Sequence, residues 1–315
     1  QGMLEKDPVL GNALLDMYAK CGVLAKAQQV FQKLPVRDII SWNAMMSGYV
    51  QQERCQEALT CFECMQCEGV SPDAVTFICM LKACGKIESL PKGQMIHAHI
   101  VGDKSLETNE FIGSGLVDMY GKCYLLEAAC YVFYRLSEQS VVSWSALIAG
   151  HVENGLGWET LSLLEKMQLR GSISPNAAIF VSSLKACSII GALSKGQKLH
   201  CELTKKGFIS LDAPKPIQIG AHGTSPTEEI VGNALIDMYA KCGSLVDAMY
   251  VFYEMHGCSI ATWNTLISAF MAKGRTELVF HCFEKVSKEE QIHQNEVTFL
   301  MILNGCSHAG LVEKG

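Results

Sequence analysis

The sequence predicts an all-α fold, a right-handed α-solenoid of stacked helix-turn-helix repeats. Three sequence motifs, GNALLDMYAKCG, SWNAMM and TFICMLKAC, each recur in two further, similar copies, always in the same order along the 315 residues. The dodecamers begin at Gly11, Gly113 and Gly232, which are steps of 102 and 119 residues. The same two steps separate the tryptophans of the second phrase, Trp42, Trp144 and Trp263. Unrelated phrases with a common spacing are the mark of a repeat protein.

Within each repeat the apolar residues follow a helical period. In the first dodecamer, Ala13, Leu14, Met17 and Tyr18 are predicted to share one face of a helix that contacts neighbouring repeats. Gly22 then marks a turn, and a second apolar stripe continues to Pro35. A lone helical hairpin cannot bury both of its apolar faces, whereas stacked hairpins can, and this favours a solenoid.

The spacing divides the chain into helical hairpins of 31, 35 or 36 residues. Residues 1–7 are interpreted as the end of a preceding repeat. Residues 213–228 hold three of the chain's eight prolines and no helical period, so we expect a loop insert there. The predicted hairpins are 8–38, 39–73, 74–109, 110–140, 141–176, 177–212, 229–259, 260–295 and a partial one at 296–315.

The composition limits the kinds of partner. The net charge of −6 argues against binding that depends mainly on phosphate neutralisation, but it leaves open a partner whose bases are recognised. Fifteen cysteines, an odd number, predict free thiols in a reducing compartment. No apolar run approaches the ~18 residues of a membrane span, so no membrane partner is expected. The start, QGMLEKDPVL, is unlike a signal or transit peptide, and we interpret the chain as an internal fragment.

The phrases GNALIDMYAKCG, TWNTLISAF, VTFICMLKAC and GQMIHAHI resemble pentatricopeptide repeats of the plant PLS type. In that family short (S), standard (P) and long (L) motifs alternate, and the resemblance covers the whole chain except the insert. It assigns 8–38, 110–140 and 229–259 as S motifs and 39–73, 141–176 and 260–295 as P motifs. The remaining hairpins, and the tail at 1–7, are L motifs. The W-x2-L-G pattern of tetratricopeptide repeats does not occur.

The resemblance implies sequence-specific binding of single-stranded RNA in mitochondria or chloroplasts. The chain would be the target-recognition part of a C-to-U editing factor, with editing-complex proteins as further partners. It would not itself be an enzyme, and a deaminase region would lie beyond residue 315. Neither a cofactor nor a small-molecule substrate is expected.

In this family the base is recognised by the fifth and the last residue of a motif. In the S and P motifs these base-reading pairs are Asn12/Asp38, Asn43/Asp73, Ser114/Ser140, Ser145/Asn176, Asn233/Ser259 and Asn264/Asn295. The family's pairing tendencies then give the target U-U-n-n-A-n-C-Y, in which the L motifs, with Ile78, Val181 and Leu300 in fifth place, are silent. The second residue of each S and P motif is implied to lie between successive bases, and these sandwiching residues are Val9, Ile40, Phe111, Val142, Ile230 and Ala261.

Other interpretations of the same residues stay open. Asp38, Asp73 and Asn176 precede predicted helices, where Asp and Asn are favoured as N-caps. The chain could also be a protein-interaction scaffold without RNA specificity, which its negative charge favours, or a degenerate member of the family.

Two further clusters look like sites, and we expect neither to be one. Cys61, Cys64 and Cys67 have a metal-like C-x2-C-x2-C spacing but no convincing fourth ligand, so packing is expected. His151 and Glu153 match half of a zinc deaminase motif, but no C-x-x-C follows them. His97 and His200 share one register and are expected to be structural. The sequence therefore predicts neither catalytic residues nor a metal site.

Overall fold

The computed structural model describes residues 8–171, 173–209, 225–255, 258–288 and 295–309. Within these ranges the secondary structure is helical, and no residue is in a β-strand. None of these helices is both long and apolar enough to cross a membrane. In chain order the helices are α1 (Pro8–Lys20), α2 (Leu24–Lys33), α3 (Ile39–Gln51), α4 (Cys55–Cys67), α5 (Ala74–Lys86), α6 (Leu90–Val101), α7 (Lys104–Glu107), α8 (Glu110–Lys122), α9 (Leu126–Arg135), α10 (Val141–Glu153), α11 (Gly157–Arg170), α12 (Ala177–Ile190), α13 (Leu193–Lys205), α14 (Pro226–Lys241), α15 (Leu245–Glu254), α16 (Ile260–Ala272), α17 (Thr276–Lys288) and α18 (Glu296–Ala309).

The helices form two compact units, residues 1–154 and 155–315. In the first unit, α1, α3, α5, α8 and α10 pack side by side in that order. Within this unit the second helices α2, α4, α6 and α9 each pack against the first helix of their own hairpin and against the first helix of the next hairpin. In the second unit, α12, α14, α16 and α18 form the corresponding row. Stacked helical hairpins are the architecture that the sequence predicts, and the fold class is confirmed.

One contact recurs where a short hairpin meets the next. A phenylalanine ring of the second helix packs in a T-shaped arrangement with the tryptophan on the following first helix, with ring centroids 4.7 Å apart in each copy. Edge-to-face packing of this kind adds to the stabilisation that burial alone provides. The three contacts are Phe31–Trp42, Phe133–Trp144 and Phe252–Trp263.

The buried face of α1 differs from the predicted one. Leu15 and Ala19 are buried, whereas Ala13 is exposed and Met17 is 42% exposed. The physical reason is that α1 packs only on α2 and α3 among the described helices, while α8 lies between α5 and α10. In α8 the equivalents of Leu14, Met17 and Tyr18 are all buried, namely Leu116, Met119 and Tyr120.

The predicted insert also ends earlier than residue 228. Ser225 caps α14 through a hydrogen bond that its hydroxyl accepts from the Glu228 backbone N–H at 3.1 Å. Pro226 is the first helical residue, a position where its fixed backbone angle and missing N–H are tolerated. The rest of the predicted insert, 213–224, and the predicted tail, 1–7, lie outside the described residues.

Candidate functional site

The predicted base-reading residues at the ends of the motifs are helix caps. The side chains of Asp38, Asp73 and Asn176 each accept a hydrogen bond from the backbone N–H three residues later, at 2.9 to 3.0 Å. Such a bond satisfies one of the free N–H groups in the first helical turn. The capping interpretation is therefore correct for these three, and it also holds for Ser140, Ser259 and Asn295.

Capping does not prevent these residues from pairing with the fifth residue of their motif. The Asn12 amide nitrogen donates to both carboxylate oxygens of Asp38 at 3.1 Å. The Asn43 amide nitrogen donates to Asp73 at 3.0 Å, and that of Asn264 donates to Asn295 at 3.3 Å. The fold thus brings together two polar side chains that are 26 to 31 residues apart in the chain.

The charge of Asp73 fixes the direction of its bond with Asn43. Burial alone would raise the pKa of this carboxyl, but hydrogen bonds from the Thr76 backbone, the Asn43 amide and the Thr76 hydroxyl outweigh it and lower the pKa. Asp73 is therefore a carboxylate at neutral pH and can only accept hydrogen bonds. Asn43 must therefore turn its amide N–H₂ group toward Asp73.

The other predicted pairs are arranged differently. No hydrogen bond joins the described side chains of Ser114 and Ser140, and Ser114 is buried. The Ser259 hydroxyl donates to the carboxylate of Glu229, and the carbonyl oxygen of Asn233 is buried without a hydrogen-bond partner.

The remaining pair, Ser145 and Asn176, is divided between the two compact units. Within the first unit the Ser145 hydroxyl donates to the Val141 carbonyl at 2.7 Å. A base-reading role for this pair stays a prediction.

The predicted sandwiching residues are all exposed, although they are apolar. Exposure is 76% for Val9, 61% for Ile40 and 68% for Phe111, and Ala261 is exposed as well. Each lies three residues before the fifth residue of its motif, so the two share one helix face. An apolar side chain therefore stands beside each polar fifth residue. Val142 and Ile230 complete the set, at 53% and 57% exposure.

Three residues that the sequence analysis did not single out take part in these pairs. They are Thr76 and Thr298, whose hydroxyls contact the predicted base-reading residues Asn43 and Asn264, and Glu229, which binds Ser259. A signal for the threonines was present, because each stands three residues after a capping residue, where capping-box side chains occur.

Two family models match the sequence. The model described as the PPR repeat family matches residues 37–86 and 258–308. The model described as the PPR repeat matches residues 12–39, 142–172 and 233–260. Together they match more than half of the chain.

The chain belongs to the pentatricopeptide repeat family. A pentatricopeptide repeat-containing protein of Arabidopsis thaliana is 34% identical over 99% of the chain, which spans 49% of that protein. A second one, named mitochondrial, is 32% identical over 99% of the chain, which spans 52% of it. A third, named chloroplastic, is 33% identical over 97% of the chain, which spans 35% of it. The chain thus spans about half or less of the length of these Arabidopsis relatives.

A solved structure shares the fold of this repeat array. The crystal structure of the pentatricopeptide repeat protein PPR10 in complex with an 18-nucleotide psaJ RNA element matches with a TM-score of 0.73. The match covers 99% of this chain and 44% of PPR10, at 15% sequence identity.

The three cysteines of the C-x2-C-x2-C motif are not arranged as metal ligands. Cys64 and Cys67 are exposed, and burial raises the pKa of Cys61 to about 12, which disfavours the thiolate that metals bind. Within the described residues no three His, Cys, Asp or Glu side chains are placed to hold a metal ion. His151 bonds through Nδ1 to the Leu147 carbonyl at 2.8 Å, inside its own helix.

The two histidines that share a register link neighbouring hairpins. Nδ1 of His97 bonds to the hydroxyl of Tyr120 at 2.7 Å, and Nδ1 of His200 bonds to that of Tyr239 at 2.9 Å. Burial lowers the pKa of both imidazoles below 6.5, although Glu107 and Asp247 act in the opposite direction. Both histidines are therefore neutral packing residues at neutral pH.

These histidines predict that acid destabilises the repeat array. The folded protein binds their protons less readily than the unfolded chain, so their contribution is complete above about pH 6.5 and is lost as the pH falls below it. We expect a lower midpoint of urea unfolding at pH 5.5 than at pH 7.5, measured by circular dichroism.

The matched variant is His97→Gln combined with His200→Gln. Glutamine can keep the bond to the tyrosine hydroxyl, as Gln28 of the first hairpin does with Tyr49 of the second, but it does not titrate. The variant should lose less stability between the two pH values, and an unchanged loss would contradict the assignment.

Proposed function

We propose that this repeat array binds single-stranded RNA in a sequence-specific way, one base per S or P motif. The observation that carries the proposal is the polar pair formed by the fifth and last residues, with an exposed apolar side chain on the same helix face. PPR10, which shares the fold, was crystallised in complex with an RNA element, and this supports RNA as the partner. Helical repeats of this kind can read the Watson–Crick edge of one base with two or three side chains.

The chemistry of the Asn/Asp pairs favours uracil. A carboxylate accepts the N3–H of uracil, whereas cytosine presents an acceptor at N3 and would face the carboxylate with a lone pair. The Asn12 and Asn43 amides are held beside such carboxylates. These pairs provide the two uracils at the start of the proposed target U-U-n-n-A-n-C-Y.

We further propose that the array is the target-recognition part of a C-to-U editing factor in mitochondria or chloroplasts. The alternation of 31-, 35- or 36- and 36-residue motifs supports the PLS type to which editing factors belong. Relatives named mitochondrial and chloroplastic support an organellar location. Editing-complex proteins would then be partners besides RNA.

The test is a binding titration with short single-stranded RNAs. We expect the protein to bind U-U-n-n-A-n-C-Y more tightly than RNAs in which one coded base is changed. Each change should weaken binding roughly 10-fold, since a well-made base contact is worth about 1–3 kcal/mol. Fluorescence anisotropy with one RNA per changed base measures this directly.

A code-swapping variant provides the control. Asn233→Thr combined with Ser259→Asp should move the preference at one base from C toward G and leave the other bases unaffected. Equal affinity for all RNAs, before and after the swap, would refute base recognition and favour the protein-interaction scaffold.

A further inference from the structure

The third residue of every described motif after the first is buried, and in all but one case it is polar or apolar as the fifth residue of the preceding motif is. These third residues are at most 1% exposed. Two apolar fifth residues, Ile78 and Val181, are followed by apolar third residues, Ile112 and Val231. Ser145 is followed by Ile179. The other polar fifth residues are followed by a hydroxyl: Asn12 by Ser41, Asn43 by Thr76, Ser114 by Ser143, Asn233 by Thr262 and Asn264 by Thr298.

At two junctions, one in each compact unit, this hydroxyl bonds to the base-reading asparagine. Thr76 Oγ lies 2.7 Å from Asn43 Oδ1 and 2.9 Å from a carboxylate oxygen of Asp73. Thr298 Oγ lies 2.8 Å from Asn264 Oδ1 and 2.9 Å from Asn295 Oδ1. A buried hydroxyl without a hydrogen-bond partner destabilises the folded protein. The bond therefore stabilises both the threonine hydroxyl and the asparagine amide.

The bond fixes which atoms of the asparagine face an RNA base. The amide nitrogen of Asn43 is held by Asp73, and its oxygen is held by Thr76. One N–H and one lone pair then remain, in a fixed orientation. Without the hydroxyl the amide could rotate about its last bond and present a donor where an acceptor is required.

We propose that Thr76 and Thr298 are positioning residues for base recognition, which hold the amides of Asn43 and Asn264 in one orientation. This inference rests on the proposed RNA-binding function and extends it to a third residue per base. It makes the identity of the third residue of the following motif part of the specificity at these two positions.

The first junction of the chain provides a matched control. Ser41 has the same register and the same burial as Thr76, but its hydroxyl donates to the Asp38 backbone carbonyl at 2.7 Å and not to Asn12. Removal of this hydroxyl therefore removes a buried hydrogen bond without freeing the base-reading amide.

The experiment compares the discrimination between U and C at the second coded base, which Asn43 reads. Thr76→Val keeps the shape of the side chain and removes the hydroxyl, so we expect it to reduce the Kd ratio about 5- to 10-fold. Thr76→Ser restores the hydroxyl and should keep the ratio.

Ser41→Ala should keep the ratio at the first coded base, which Asn12 reads. Thr298→Val provides a second case, in which the preference for a pyrimidine at the last base should weaken.

The outcomes separate this inference from the proposed function. A wild-type protein that discriminates at no coded base refutes base reading, and the positioning role fails with it. A wild-type protein that discriminates, with Thr76→Val and Thr298→Val variants that discriminate equally well, refutes the positioning role alone. The positioning role alone is also refuted if Thr76→Val weakens binding to U and C alike, or if Ser41→Ala reduces discrimination as much as Thr76→Val does.

Discussion

Replacement of Trp144 by alanine is expected to lower the free energy of unfolding by about 3–5 kcal/mol. Trp144 is 1% exposed and meets Phe133 edge-on, with ring centroids 4.7 Å apart. Alanine would leave a large cavity between α9 and α10, where a short hairpin meets the next one. Urea unfolding followed by far-UV circular dichroism measures the change.

The chain contains its own control for this substitution. Trp158 is 60% exposed and has the Lys195 ammonium 5.7 Å from its ring centroid. Trp158→Ala removes the same number of atoms but should cost only about 0.5–1 kcal/mol, the value of a surface cation–π contact. If the two variants were equally destabilised, the assignment of Trp144 to the core between hairpins would be wrong.

The recurrence of this contact explains why so much of the fold could be predicted from the sequence. The same tryptophan spacing that revealed the repeats also marks the aromatic contact between hairpins. The helical period and the glycine turns depend on the local sequence, so they can be recognised without knowledge of the tertiary structure. The exposure of α1 could not be predicted, because it depends on which helices pack beside it and not on its own sequence.

The sequence predicts pairs of side chains, of which three are joined by hydrogen bonds, but it does not predict their other hydrogen-bond partners. Thr76 and Thr262 occupy the same register and have the same side chain, but only Thr76 bonds to the asparagine before it. The hydroxyl of Thr262 and the carbonyl oxygen of Asn233 are both buried without a partner. The difference coincides with the bond from Ser259 to Glu229, a contact across 30 residues. Such competition between partners depends on side-chain rotamers, which sequence spacing does not encode.

The acidic character of the chain bears on how RNA would be held. In each copy of the dodecamer the lysine of the first helix pairs with an aspartate one turn earlier, at 2.6 to 2.8 Å. These lysines are therefore partly neutralised. With a net charge of −6, the attraction for phosphate is weak, and the bases must supply more of the affinity. Under the proposed function, the predicted sandwiching residues are therefore the most sensitive target for mutation.

Combined replacement of Ile40, Phe111 and Val142 by serine is expected to weaken RNA binding about 100-fold, because each side chain that packs on a base is worth on the order of 1 kcal/mol. All three are more than half exposed, so the fold and the unfolding midpoint should change little. The measurement is an RNA titration with the predicted target, accompanied by urea unfolding.

The control replaces three apolar residues on second helices, Leu169, Val246 and Tyr250, which are 86%, 78% and 52% exposed. The change in surface hydrophobicity is comparable, but these residues lie on α11 and α15, whereas the fifth residues of the motifs lie on first helices, so RNA binding should be unaffected. A similar loss in both variants would mean that RNA contacts exposed apolar surface in general. Loss in the first variant alone would assign the affinity to the second residues of the motifs, because they share a helix face with the side chains proposed to read the bases.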